Sequence, residues 1–417
     1  MPVNYSPPAP DSLLPVPGVR LGTAAARIKN WDRDDVVLIA CAPGTVAAGV
    51  FTQNRFCAAP VTLCREHLAV QLAAASDFRA LVINAGNANA GTGVSGLADA
   101  HLVCAEVARA LDVTPQSVLT YSTGVIMEPL PVDRLLAALP AAEAALGEDH
   151  WLAAARAIMT TDTVPKGLSR QVLLDDVVVT VTGIAKGSGM IHPDMATMLA
   201  FIATDAAIGA EILTPLMREI AAISFNCATV DGDTSTNDSF VLAATGKAVM
   251  LPIRDSADPR LVLLRGALED VAVNLAQAIV RDGEGATKFI AITVENGHDV
   301  EECRRVAFGI AHSPLVKTAF FASDPNLGRI VCAIGNTAPG NFDTTGMSFW
   351  LDDVLVVEHG GRAQTYSEEE GQRVMKQDEI AIRVDLGRGK PGRAARATVW
   401  TCDFSHDYVS INADYRS

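Results

Sequence analysis

The sequence predicts an α/β fold of layered sheets and helices, divided among two or more lobes. Three observations predict it. Strand-like runs and helical patterns alternate along the whole chain, the mark of an α/β architecture. Several strand-like runs are apolar almost without interruption, as in VVLIAC at Val36–Cys41, which marks strands covered on both faces. The chain's 417 residues also exceed what one compact core ordinarily holds.

Taken in order, β-rich runs fall at Val36–Cys41, Ala80–Gly86, Val172–Thr182, Met198–Thr204, Ser239–Ala244, Lys288–Glu295, Arg329–Ile334, Ser348–Glu358 and Thr398–Asp407. Helical periodicity is clearest at Leu97–Leu111, Val132–Leu146, Glu211–Ser224, Leu268–Arg281 and Glu368–Lys376. No repeat, low-complexity tract or linker marks a boundary between lobes.

Composition narrows the function. Apolar residues make up 49% and charged residues 19%, which fits a packed globular protein and not a disordered chain. The net charge of -15 and the lack of any basic run argue against nucleic acid, whose binding needs clustered Lys and Arg. No apolar stretch has the length of about 18 residues that a membrane span needs, and none is expected. The opening MPVNYSPPAPDSLLPVPGV has neither a basic n-region nor an apolar h-region, so it does not read as a secretory signal. Eight cysteines are scattered, never as CxxC, and most lie in apolar runs. They read as buried free thiols in a reducing, cytoplasmic setting.

Two segments interrupt the alternation with Gly, Thr and Asp beside apolar strands, where sites usually lie. They are KGSGMIHPDMATMLAFIATDA (Lys186 to Ala206) and NCATVDGDTSTNDSF (Asn226 to Phe240). In the first, Thr197 follows the small residue Ala196 and precedes a buried-looking strand. A threonine so placed can attack the preceding carbonyl, and hydrolysis of the resulting ester frees an α-amine beside the hydroxyl. That amine, with an ordinary pKa of about 7.7–8.0, can act as general base. The same Ala-Thr pair occurs at Ala228–Thr229, Ala286–Thr287 and Ala397–Thr398, so spacing alone favours Thr197 only through the strand that follows.

Other signals have plainer readings. STGVI (Ser122 to Ile126) is a small polar turn. Lys186 reads as a strand-end lysine, followed by Gly187, that can reach a carboxylate. DGEG around Glu284 reads as a loop after the helix ending near Arg281. The Asp231-Gly232-Asp233 and Asn237-Asp238 cluster lacks calcium-loop spacing and reads as turn capping, so no metal is expected. Gly187-Ser188-Gly189 is not a phosphate-binding loop, and no cofactor is expected. Gly387-Arg388-Gly389-Lys390 reads as an exposed hairpin turn, and His192 as a turn histidine near the Ala196–Thr197 bond.

KGSGMIHPDMATM resembles the self-cleavage region of the ornithine acetyltransferases, the bifunctional glutamate N-acetyltransferases of arginine biosynthesis. The resemblance continues in order through NAGNANAGTG (Asn84–Gly93), STGVI, IMTTDT (Ile158–Thr163), NCATVDGDTSTND, EGATK (Glu284–Lys288), SDPNLGRI (Ser323–Ile330) and YVSINADYRS at the C-terminus. It implies a cut between Ala196 and Thr197, giving an α chain (1–196) and a β chain (197–417) that associate as an α2β2 assembly. It implies a layered α/β/α sandwich similar to self-processing aminopeptidases, with a second, smaller α/β lobe.

By that resemblance Thr197 is the nucleophile and Thr123 with Gly124 forms the oxyanion hole. Thr160 (in preference to Thr161), Lys186, Thr197, Glu284, Asn412 and Ser417 are the substrate contacts. The implied partners are N2-acetyl-L-ornithine and L-glutamate, with acetyl-CoA as a further donor in bifunctional members. A self-processing amidohydrolase or aminopeptidase of the same fold is the competing enzyme. An uncut, non-catalytic binding protein is the competitor from another class. The chain departs from the family pattern at Asp194, Leu327 and Ser417, where Asn, Trp and Thr are common.

Overall fold

The computed structural model describes residues 1–74, 76–192, 198–389 and 395–413. The chain forms two compact units: a larger one of residues 6–226 and 233–279, and a smaller one of 1–5, 227–232 and 280–417. The cut expected after residue 196 would fall within the larger unit and does not mark the boundary between the two.

The larger unit contains two sheets. The first has the order β1 (Val19–Ala24), β2 (Val36–Cys41), β4 (Ala80–Asn87), β5 (Val118–Val125). The second has the order β3 (Val46–Phe51), β9 (Ser239–Ala244), β8 (Leu199–Thr204), β7 (Val177–Lys186), β6 (Lys166–Leu174). Two pairs are parallel, β4 with β5 and β8 with β9, and each needs a helical crossover. These crossovers are α2 (Gly93–Leu111) and α5 (Ala210–Ile223). The unit's other helices are α1 (Ala59–Ala74), α3 (Val132–Ala144), α4 (Trp151–Ala157) and α6 (Pro259–Arg281), whose last two residues count with the smaller unit.

The uninterrupted apolar run of β2 has the meaning expected of it. Val37 and Ile39 enter one core with Leu81 and Leu119 of their own sheet and with Leu199, Phe201 and Val241 of the other. Val36 and Leu38 enter a second core with Val103 and Val107 of α2 and Leu135 and Leu139 of α3. On the far face, a Cβ at Gly183 of β7 would meet Val271 and Leu275 of α6. The expected layered sandwich is therefore present, and its middle is two stacked sheets faced by helices. Tyr121 and Phe201 meet edge to face across that middle, their ring centroids 5.2 Å apart.

The smaller unit is a second α/β lobe. Its sheet has the order β13 (Gly361–Arg362), β12 (Val354–Glu358), β11 (Ser348–Leu351), β14 (Glu379–Asp385), β10 (Phe289–Gly297), β15 (Ala395–Cys402). Helices α7 (Val300–Ala311), α8 (Pro314–Phe321), α9 (Gly328–Thr337), α10 (Glu368–Met375) and α11 (His406–Ala413) accompany it. Ile290, Ile292 and Val294 of β10 form its core with Val306 and Ile310 of α7 and Ile330 and Ile334 of α9.

Five expectations are corrected. Arg329–Ile334 lies in helix α9: its buried positions are Ile330, Ala333 and Ile334, at helical spacing, while Val331 and Cys332 face out. Val172–Thr182 and Ser348–Glu358 each hide a hairpin. Their two-residue loops are Asp175-Asp176 and Asp352-Asp353, with Asp175, Asp176 and Asp352 at positive φ, which aspartate tolerates. The strand expected at Thr398–Asp407 ends at Cys402, because buried Asp403 accepts from the backbone N–H groups of Thr287 and Lys288. Finally, Gly387-Arg388-Gly389 is not a hairpin turn, because β14 and β15 flank β10 on opposite sides. Among the described residues no helix is long and apolar enough to cross a membrane, and the cysteines are free, with Cys57 half-buried and Cys332 exposed.

Candidate active site

Strand β5 carries Ser122-Thr123-Gly124 just before its last residue, Val125, so these residues are strand and not the expected turn. Gly124 has φ +134°, and a Cβ there would collide with the backbone of Gly86 and Asn87. That close approach coincides with a register shift between β4 and β5 at Gly86/Asn87. The asparagines of NAGNANAGTG brace it. Asn84 accepts from Ser122 Oγ at 2.6 Å and donates to Asn87 O at 2.9 Å, and Asn87 Oδ1 takes the Asn89 N–H at 2.8 Å.

Lys186 stands at the end of β7, as read from the sequence, but it is 4% exposed and not solvated. Its Nζ donates to Thr123 Oγ1 at 3.0 Å and to Thr160 Oγ1 at 2.9 Å. Three residues read separately from the sequence thus converge on one ammonium. Thr161 turns elsewhere, to Ser188 Oγ at 2.7 Å.

Beneath this group lies Asp162, wholly buried, two residues after Thr160. Its Oδ2 accepts the Thr160 N–H at 3.0 Å; its Oδ1 accepts the Gly187 N–H and the Lys166 ammonium, both at 2.7 Å. Burial opposes the charge on Asp162. The ammoniums of Lys166 and Lys186 and the Gly187 N–H outweigh it and hold the carboxyl well below the usual carboxylate range.

The turn before β9 bonds to both sheets of the unit. Asn237 Nδ2 donates to Ala88 O at 2.6 Å and to Ser122 O at 2.9 Å, fixing the carbonyl just before Thr123. Asp238 Oδ1 accepts from Met198 N at 2.9 Å, the amide covalently bonded to residue 197. Among the described residues the other oxygen of Asp238 is buried and within bonding distance of no donor, although the Thr52 hydroxyl and the Ser235 N–H also favour the ionised carboxyl. Burial pushes this acid far above the usual carboxylate range, with the Met198 N–H and the Lys186 charge opposing only in part. His192 pairs with Thr234 at 3.0 Å.

In the smaller unit, Glu284 follows the helix ending at Arg281 and is buried, and Asn412 of α11 donates to its Oε2 at 2.8 Å. Gly285 has φ +68°, and a Cβ there would strike Ser405 and Tyr408, so the bend after Glu284 needs glycine. Of the competing Ala-Thr pairs, Thr229 donates its N–H to Trp400 O, Thr287 is held by Asp403, and Thr398 lies within β15. The expected cleavage pair Ala196 and Thr197, together with Asp194 and Ser417, lies outside the described residues.

Sequence reasoning passed over Asp162 and Lys166, whereas Asn237 and Asp238, read there as turn capping, bond to the backbone of other segments. Asp162 lies inside IMTTDT, where Asp defaults to capping, and Lys166 follows three residues after that motif.

The fold and these contacts define an α/β protein whose larger unit carries a buried threonine–lysine–aspartate site. The ArgJ family profile matches residues 20–417, and the chain belongs to the ArgJ family. The chain is similar to the arginine biosynthesis bifunctional protein argJ of Bacillus halodurans, with 36% identity over 97% of that chain and 51% of this one, at a TM-score of 0.47. It is also similar to the ornithine acetyltransferase of Mycobacterium tuberculosis, solved with ornithine, with 34% identity over 98% of that chain and 45% of this one, at a TM-score of 0.39. An l-aminopeptidase d-ala-esterase/amidase of Ochrobactrum anthropi matches at 14% identity over 68% of this chain and 89% of that one, with a TM-score of 0.40.

Proposed function

We propose that this chain is an acetyltransferase of arginine biosynthesis that cuts itself before Thr197 and then carries acetyl from N2-acetyl-L-ornithine to L-glutamate on that threonine. The observation that carries the reading is the meeting of Thr123, Thr160 and Lys186, from three separate segments, in a unit where Asp238 grips the amide next to residue 197. Membership of the ArgJ family supports the choice of pathway.

In the self-cleavage, Thr197 Oγ attacks the Ala196 carbonyl and the C–N bond breaks to leave an ester. Water hydrolyses that ester to an Ala196 carboxylate and a free Thr197 amine. In turnover, Thr197 Oγ attacks the acetyl carbonyl and passes its proton to that amine. The oxyanion is met by the Thr123 hydroxyl and the Gly124 N–H. Collapse breaks the bond to ornithine Nα, which takes the proton and leaves. The glutamate amine then attacks the acetyl-threonine ester, one proton returns to Thr197 Oγ, and N-acetylglutamate departs. Lys186 and Thr160 hold the α-carboxylate common to both substrates, and Glu284, steadied by Asn412, answers the δ-ammonium of ornithine. Ser417 is a further contact, and the cut chains pair as α2β2.

The scheme requires parallel double-reciprocal lines when acetylornithine and glutamate are varied. Intersecting lines sink it, and ornithine release that does not depend on glutamate favours an amidohydrolase. T197A should run as one band of 43.8 kDa under denaturing conditions and transfer nothing, whereas the parent gives two bands. Replacing acetylornithine by acetyl-CoA reads whether the enzyme is bifunctional.

A further inference from the structure

We propose that Asp162 is the positioning residue of the substrate-carboxylate wall: it fixes the backbone on both sides of the Thr160–Lys186 pair, and without it the wall does not hold its shape. The proposal rests on the reading of Lys186 and Thr160 as substrate contacts and goes beyond it, by naming the group that makes them a receptor.

The argument is one of atoms. The Thr160 N–H and the Gly187 N–H belong to the residue that offers the hydroxyl and to the residue next to the one that offers the ammonium. Both point at one carboxylate, at 3.0 and 2.7 Å, and that carboxylate is wholly buried. It therefore clamps a loop residue, Thr160, to a strand end, Lys186–Gly187, which are 26 positions apart in sequence. The β6–β7 ladder begins only at Lys166↔Ala185, and the side-chain bonds Lys186–Thr160 and Thr161–Ser188 also tie the segments, so the clamp is the tie that holds the backbone of Thr160 and Gly187 directly.

Asp162 also neutralises Lys166, whose side chain is 0% exposed and which bonds to Asp162 at 2.7 Å. A purely structural residue would do only that. The two duties use different partners, so substitution can separate them. Asn in place of Asp offers one acceptor oxygen where two amide N–H groups converge, and its NH2 faces the other donor. Removing the Lys166 charge at the same time avoids stranding the Lys166 ammonium in the interior, while Lys186 keeps its bonds to the Thr123 and Thr160 hydroxyls.

The test uses the full-length enzyme and follows acetyl transfer from N2-acetyl-L-ornithine to L-glutamate, with melting temperature measured in parallel. In D162N/K166M, melting near the parent's with KM for both amino acids raised about tenfold or more, and kcat changed much less, is the expected result. Parental KM values in that variant overturn the proposal, because Asp162 is then only the counterion of Lys166. D162E gives a second reading should the double variant not fold. It keeps the charge for Lys166 but shifts the oxygens by one methylene, so the proposal expects raised KM and is overturned by parental KM. K186M tests the underlying reading separately. If K186M leaves KM unchanged, Lys186 is not a substrate contact and the reading fails; if K186M raises KM while D162N/K166M and D162E do not, only the clamp fails.

Discussion

Asp162 and Asp238 sit in the same unit, both shut off from solvent, yet they are driven in opposite directions. Asp162 meets two backbone N–H groups and two ammoniums, one of them in direct contact, and stays ionised. Asp238 has the Met198 and Ser235 N–H groups, the Thr52 hydroxyl and the charge of Lys186 in its favour, yet burial outweighs them and pushes the acid far above the usual carboxylate range. Burial is common to both and so does not decide the charge. The Lys166 ammonium, bonded to Asp162 at 2.7 Å, does. The first aspartate works as a fixed anion around which backbone is arranged, the second as an acid pushed toward its protonated form beside the residue expected to react.

The contrast breaks most visibly when each carboxyl is removed. D162A strands the buried Lys166 ammonium and should cost about 3–5 kcal/mol, the scale for breaking a buried ion pair. D238A abandons one amide and should cost about 1–3 kcal/mol. Chemical denaturation of the two variants reads the order directly, and an equal or reversed loss contradicts the assignment of charges.

A smaller effect is expected on the acid side. A carboxyl held below its unfolded value contributes stability that is full above about pH 4 and is lost as pH falls. Asp162 has that sign, so D162N/K166M should lose less stability than the parent between pH 5 and pH 3. The smallest effect has the opposite sign. A carboxyl held above its unfolded value makes the folded state bind more protons, so stability declines as pH rises above about 4. D238N removes that decline, and its melting temperature should gain on the parent's from pH 5 to pH 9. A constant difference across that range means that Asp238 does not hold its proton.

Much of the fold was legible because burial leaves a period in the sequence. The limits of β2 and β9 follow directly from runs that are apolar on both faces, and α3 and α5 from their 3.6-residue stripe. The errors came where the period was ambiguous or the turn unusual. Ile330 to Ile334 is apolar enough to pass for a strand, and Asp-Asp is a rarer two-residue turn than Asn-Gly. The site was legible only as separate residues. Thr123, Thr160 and Lys186 came from a family resemblance, and their convergence is a product of the two sheets stacking, which no local pattern encodes. Asp162 and Asp238 look alike in sequence, each an Asp among Thr, Ser and Asn. What separates them is their company: Lys166 four residues on and Gly187 from a distant strand end for one, Met198 from a distant segment for the other.

The five-stranded sheet carries a consequence for handling the protein. Its order, β3-β9-β8-β7-β6, interleaves strands from before residue 196 with strands from after it. Val181 to Lys186 pairs with Leu199 to Thr204, and Val46 to Phe51 pairs with Ser239 to Ala244. A chain opened between Ala196 and Thr197 would therefore be two polypeptides woven into one fabric. They would co-elute, sediment and melt as a single body and come apart only when the sheet itself dissolves, and neither half expressed alone would have a complete sheet to fold into.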